Sequence, residues 1–183
     1  SVLGFAAALM HTVNHALFKS LLFFAAGNVY VMTHTRNMEE LGGLIKSMPR
    51  TAMLFLIGSL AIGGLPPFGG FVSELVLYYS FISGMTMSNL MVPVVMVLSG
   101  ACLAVIGGAS MLAFTKSFGV IFLGEPRKQL VHMPHEVGKS MLNAGFVLFV
   151  PMFLIIVFSR EVFEIASSIS VGLHNLKFIS TES

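Results

Sequence analysis

Long apolar runs separated by short polar stretches organise this chain. Residues 3–32 form the first run, interrupted by His11, Asn14, His15, Lys19 and Asn28. About 20 residues cross a bilayer core, so this run predicts one span. Residues 33–50, THTRNMEELGGLIKSMPR, predict a loop with one short interfacial turn. Residues 51–84 hold two short apolar runs separated by Pro66-Pro67-Phe68-Gly69-Gly70. Residues 90–115 predict a further span, residues 116–139 a second polar loop, and residues 141–159 the last span. The tail, 160–183, is mixed, with Val162, Ile165, Ala166 and Ile169 as the apolar stripe of a short interfacial helix.

Proline removes a helix donor and disfavours helix at the residue before it, so Pro66-Pro67 interrupts residues 51–84. That leaves either a hairpin of two short spans or one span broken in its middle. Charge separates them. If 51–84 crosses once, loops 33–50 and 116–139 share a side and hold seven of the ten Lys/Arg: Arg36, Lys46, Arg50, Lys116, Arg127, Lys128 and Lys139. A hairpin would place the two basic loops on opposite faces. The positive-inside rule favours the single broken span, with both basic loops cytoplasmic and both chain ends opposite. The expected fold is all-α: a polytopic transmembrane helix bundle over residues 1–160, four spans with one broken helix, and a tail over 161–183.

Composition supports the membrane reading. Of 183 residues, 56% are hydrophobic and 10% charged, against about 25% charged in ordinary soluble domains. Only helices and closed barrels satisfy their backbone in lipid, and the continuous runs here lack the period-two alternation of barrel strands. The single cysteine, Cys102, excludes an internal disulfide and a Cys-ligated iron–sulfur cluster, and no cofactor is expected on this chain. A formal charge of +2 gives no reason to expect nucleic acid as a partner. The chain opens on Ser1 without initiator methionine or signal-peptide pattern, which predicts a piece of a longer polypeptide.

The candidate chemistry sits inside the apolar runs. His11, His15 and Lys19 are spaced i, i+4, i+8, which lines them along one helix face. Glu74 follows the Gly/Pro break inside another apolar run. A charge at membrane depth costs about 2.5–3.5 kcal/mol on insertion scales, so such groups persist where they line an internal pathway. Broken helices are tolerated where freed backbone meets protein or a wet cavity, and in transporters they build ion sites near the midplane. The blander readings are a snorkelling Lys19, a Glu74 paired with a cation on a neighbouring helix, and hydrogen-bonded core histidines. His11 and His15 can also form a relay, since imidazole titrates near neutral pH. Haem ligation would need a histidine from a second helix. His132, His135 and Glu136 (HMPHE) match no zinc spacing, because Pro134 intervenes, and are read as ordinary loop residues.

HTVNHALFKSLLFFAAGNV, TRNMEELGGLIKSMPRTA and LPPFGGFVSE closely resemble the antiporter-like proton-pumping membrane subunits. These occur in respiratory complex I, Mrp-type sodium/proton antiporters and formate-hydrogenlyase-type membrane-bound hydrogenases. The stretch TKSFGVIFLGEPRK…PHEVGKSM is most similar to the hydrogenase branch. The resemblance covers nearly all of residues 5–150. It implies about fourteen helices in two inverted repeats, each with one broken helix, of which this chain matches the last four. It also implies that His11, His15 and Lys19 belong to a central hydrophilic axis and that Glu74 is the terminal proton-exchange group. The family's further acid and lysine would lie upstream of Ser1.

The expected function is therefore proton translocation by a non-redox subunit in a prokaryotic cell membrane. Electron transfer would belong to partner membrane and peripheral subunits of one complex. A tenfold change in proton affinity corresponds to about 1.4 kcal/mol, and moving a charge across 100 mV costs roughly 2.3 kcal/mol, so modest electrostatic changes suffice for pumping. The alternatives are a sodium/proton antiporter subunit, with sodium as a possible second ion, and a passive membrane anchor.

Overall fold

A computed structural model of the protein describes residues 2–87, 89–127 and 134–181, with side chains through Leu173. Its regular structure among the described residues is helical throughout. The helices are α1 (Val2–Thr33), α2 (Pro49–Ile62), α3 (Gly69–Gly84), α4 (Met91–Phe122), α5 (Lys139–Val157) and α6 (Ser159–Thr181). Single 3-10 turns at Met38–Glu40 and Leu44–Lys46 fold the connection between α1 and α2. Helices α1, α4 and α5 are each long and apolar enough to cross a bilayer.

Helix α1 is the central rod, and α2, α3, α5 and α6 all pack along it. Helices α2 and α3 both lie against α1 yet barely touch one another. Two halves of an interrupted rod behave this way, whereas the arms of a hairpin would pack side by side. The arrangement suits the expectation of one interrupted span over residues 51–84.

The break has a local cause. Gly64 takes the left-handed conformation at φ +63°, which costs glycine nothing and other residues about 1–2 kcal/mol. With Gly64 in that state, its N–H donates to the Ala61 carbonyl at 3.3 Å and the Leu65 N–H to the Leu60 carbonyl at 3.2 Å. This paired closure is a Schellman motif, and it ends α2 before the prolines are reached. Pro66 and Pro67, joined by a cis peptide, offer no N–H, and the chain re-enters helix at Gly69. Gly69 and Gly70 are buried where α3 starts. A β-carbon on Gly70 would collide with the Ala61 carbonyl, and one on Gly69 with the Asn14 carboxamide. Only glycine lets the second half begin so close to α1 and to the end of the first half.

The core lies toward the end where α1 finishes and α2 begins. Leu21, Ala25, Met48, Leu54 and Phe122 are fully or almost fully enclosed there. Phe114, Phe118 and Phe122 project from α4 at i, i+4, i+8 onto Phe55 of α2, with ring centroids 5.3–6.5 Å apart. That aromatic stripe explains a departure from expectation. Helix α4 continues seven residues past Thr115, to Phe122, so Lys116 stands on a helix and the following connection covers only 123–138. By contrast, the most apolar stretch of α4 has no buried residue.

The tail also differs in detail. It forms α6, and the face turned inward is Ala166 and Ser170, while Ile165 and Ile169 of the expected stripe are exposed. Small side chains permit close approach of helices in lipid, which suits α6 to packing along α1.

Candidate functional site

Four α1 positions and the first turn of α3 form a polar seam within the apolar helices. Asn14, only 3% exposed, donates from Nδ2 to the Gly69 carbonyl at 3.0 Å. One turn earlier, His11 Nδ1 lies 3.1 Å from Ser73 Oγ. Ser73 is completely buried, and its hydroxyl is also within 3.1 Å of the Gly69 carbonyl and 3.0 Å of the Gly70 carbonyl. Capping side chains are absent at the start of α3, where Phe68 has none to offer. Asn14 and His11 instead tie α3 to α1 through the Gly69 carbonyl and the Ser73 hydroxyl.

His15 continues the seam. Its ring centroid is 6.0 Å from that of His11, and it meets Phe18 edge-on at 5.1 Å. His15 is exposed and Lys19 half-buried, one turn further along the same face. Among the described residues neither Lys19 nor Glu74 has an oppositely charged partner within 4.0 Å. The reading of Glu74 as half of a structural ion pair thus finds no cation within this chain's described residues.

Glu74 itself is half-buried and turned onto the break. A β-carbon on Gly64 would come within 2.7 Å of Glu74 Oε2, so the carboxyl rests on the backbone of the helix interruption. Pro66 and Pro67 are exposed, whereas Gly69 and Gly70 are enclosed. The structure thus joins His11 to α3 beside Glu74, sets Glu74 at the break, and places Lys19 two turns beyond His11 without a direct bond to Glu74.

Three polar residues escaped the sequence reading. Ser73 is the partner of His11, and Asn14 is the partner of Gly69, though neither type stands out in a list of ionisable groups. Glu136, taken as an ordinary loop residue, places both carboxylate oxygens on the start of α2. His135 is exposed, with Nδ1 3.0 Å from the Glu136 carbonyl; His132 and Lys128 lie outside the described residues.

A helical chain with several membrane-length helices, an interrupted one, and titratable groups beside the interruption defines a class of multi-pass membrane proteins. The family described as "NADH:quinone oxidoreductase/Mrp antiporter, TM" matches residues 1–107, and the chain belongs to it. Among relatives, Hydrogenase-4 component B of Escherichia coli K12 is 39% identical over 148 residues, covering 81% of this chain and 22% of the relative. Na(+)/H(+) antiporter subunit A1 of Staphylococcus saprophyticus is 36% identical over 159 residues, covering 86% of this chain and 19% of the relative. The chain thus spans about a fifth of the length of these relatives. In fold it is similar to a chain in the structure of the Mrp complex from Dietzia sp. DQ12-45-1b. The TM-score is 0.79 at 20% identity, over 94% of this chain and 38% of that one.

Proposed function

We propose that this chain forms part of a proton-translocating subunit in a membrane-bound oxidoreductase complex of the hydrogenase type, whose other subunits carry the electrons. Lys19 holds a proton at mid-membrane. His11 and His15, with trapped water, pass it along α1. Glu74 exchanges it with the face opposite the basic connections. One observation carries the reading: the titratable stripe of α1 is tied by the His11–Ser73 hydrogen bond to α3, one residue before Glu74. Ionisable groups in helix interiors are expensive in lipid, and here they gather at a helix break. The 39% identity to Hydrogenase-4 component B supports the branch.

Inverted membrane vesicles carrying the full-length subunit in its complex test this, with pH-dye quenching as the readout. Glu74→Gln and Lys19→Ala should each abolish substrate-driven proton uptake while the complex stays assembled. Uptake at the wild-type rate in both variants would leave a passive membrane anchor as the reading.

Sodium/proton antiport is the second reading, supported by the 36% identity to Na(+)/H(+) antiporter subunit A1. Sodium-driven proton movement in vesicles without any redox substrate separates the two.

A further inference from the structure

At the far end of the broken helix, a polar chain runs from the exposed connection to the buried face of α1 and links three elements. Glu136, in the connection between α4 and α5, accepts the Arg50 N–H on Oε2 at 2.8 Å and the Thr51 hydroxyl on Oε1 at 2.6 Å. Thr51, fully buried in the first turn of α2, accepts in turn from Asn28 Nδ2 of α1 at 3.4 Å. Asn28 is 1% exposed. From these contacts we infer that Glu136 is a positioning residue: it latches the α4–α5 connection onto the start of α2 and so sets where the helix break, and Glu74 on it, stands against α1.

The start of α2 has no cap of its own. Met48 carries no side-chain oxygen, and Pro49 has no N–H to give. A helix that needed only a cap would be served by serine or aspartate at position 48. Here the acceptor comes from 86 residues away. A carboxylate at a helix N-terminus meets the positive end of the helix dipole, and two separate acceptor contacts fix rotation as well as distance. The latch is also seated apolarly, because the next residue, Val137, lies in the hydrophobic core.

The mechanical link is the rigidity of α2. Its 14 residues span about 21 Å and end on the Gly63-Gly64 closure, against which the Glu74 carboxyl rests. Tilting or turning α2 at Thr51 therefore moves Gly64. Asn28 and Thr51 hold the same end to α1, the helix that carries His11, His15 and Lys19.

The role rests on the proton-translocation reading, and the two can fail separately. The experiment uses the full-length subunit in its native complex, in a Cys102→Ser background, with a Cys at Val137 for labelling by a membrane-impermeant maleimide. Glu136→Ala and Thr51→Val should each raise the labelling rate roughly fivefold, as loss of a hydrogen-bonded tether opens the segment. In vesicles with native Val137, both should lower protons moved per substrate turned over by about threefold, with the assembled complex unchanged. Thr51→Ser, which keeps the hydroxyl, should behave as wild type in both assays. Unchanged labelling in both variants overturns the latch. Raised labelling with a wild-type proton ratio, in a complex that Glu74→Gln disables, overturns the positioning role. Should Glu136→Ala prevent assembly, Thr51→Val decides alone. A Glu74→Gln complex that translocates normally defeats the proton-translocation reading itself, and the positioning role with it, even where labelling shows the latch intact.

Discussion

The Glu74 carboxyl lies directly on the backbone of Gly64, ten residues earlier in the chain and in the left-handed conformation at φ +63°. The same glycine thus closes the first half of the broken helix and leaves room for the acid of the second half. Replacing it tests both functions at once.

Gly64→Ala is expected to cost about 1–2 kcal/mol from the left-handed backbone alone. The added methyl also points at Glu74 Oε2, 2.7 Å from an ideal β-carbon, and must push the carboxyl off the break. Thermal unfolding of the purified complex should show a modest loss, and vesicle proton uptake should fall much further than that loss explains. Uptake that falls only in proportion to the amount of folded complex would separate Gly64 from the chemistry of Glu74.

Ser73 gives a second separation. Ser73→Ala leaves His11 Nδ1 without its partner on α3, and it withdraws a donor from the Gly69 and Gly70 carbonyls. An unsatisfied buried group costs about 1–3 kcal/mol. The variant should assemble at reduced stability and translocate slowly, while Ser73→Thr, which keeps a hydroxyl, restores part of the rate. Equal rates for wild type and Ser73→Ala would mean that the His11–Ser73 contact plays no part in transport.

Much of this arrangement is legible in the residues themselves, for physical reasons that also mark where legibility ends. Proline and glycine act locally, so Pro66-Pro67 and Gly69-Gly70 announce the interruption without any knowledge of neighbours. The positions of His11, His15 and Lys19 follow from helical periodicity alone. Helix α4 defeats the same logic, because Lys116 and Ser117 look like the start of a loop. Only packing of Phe118 and Phe122 on Phe55 shows that helix persuades the chain to continue. In α6 the inward face is chosen by close approach to α1, which favours Ala166 and Ser170 over the bulkier Ile165 and Ile169. Glu136 is invisible for a different reason: its partners, Arg50 and Thr51, are 86 and 85 residues distant, and nothing in HMPHE points to them.

The aromatic stripe predicts an asymmetry along α4. Phe122 is fully buried, so Phe122→Ala should cost about 3–5 kcal/mol. Leu98, on the same helix but 59% exposed, makes far less internal contact, and Leu98→Ala should change the stability of the isolated subunit much less. Across the same end, the Lys46–Glu125 pair at 3.1 Å is exposed on both sides, so removing it should cost no more than about 1 kcal/mol. Unfolding of the detergent-solubilised protein orders the three. A Lys46→Ala effect as large as that of Phe122→Ala would place the stabilising contacts in the connections instead of the aromatic core.

The paired glycines at the start of α3 allow a test that distinguishes a movable neighbour from an immovable one. A β-carbon on Gly70 meets the backbone carbonyl of Ala61, which cannot withdraw without unwinding the end of α2. A β-carbon on Gly69 meets the side chain of Asn14, which can be trimmed. Gly70→Ala is therefore expected to be overpacked by about 1–3 kcal/mol whatever stands at position 14. Gly69→Ala should be similarly harmful alone, yet Gly69→Ala combined with Asn14→Ala should be milder than the sum of the two single changes. Contacting residues show such non-additivity of about 0.5–3 kcal/mol, and distant ones do not. A double-mutant cycle on thermal unfolding measures it. Additivity in that cycle would mean that α3 does not start against Asn14, and the anchoring of the broken helix to α1 would have to lie elsewhere.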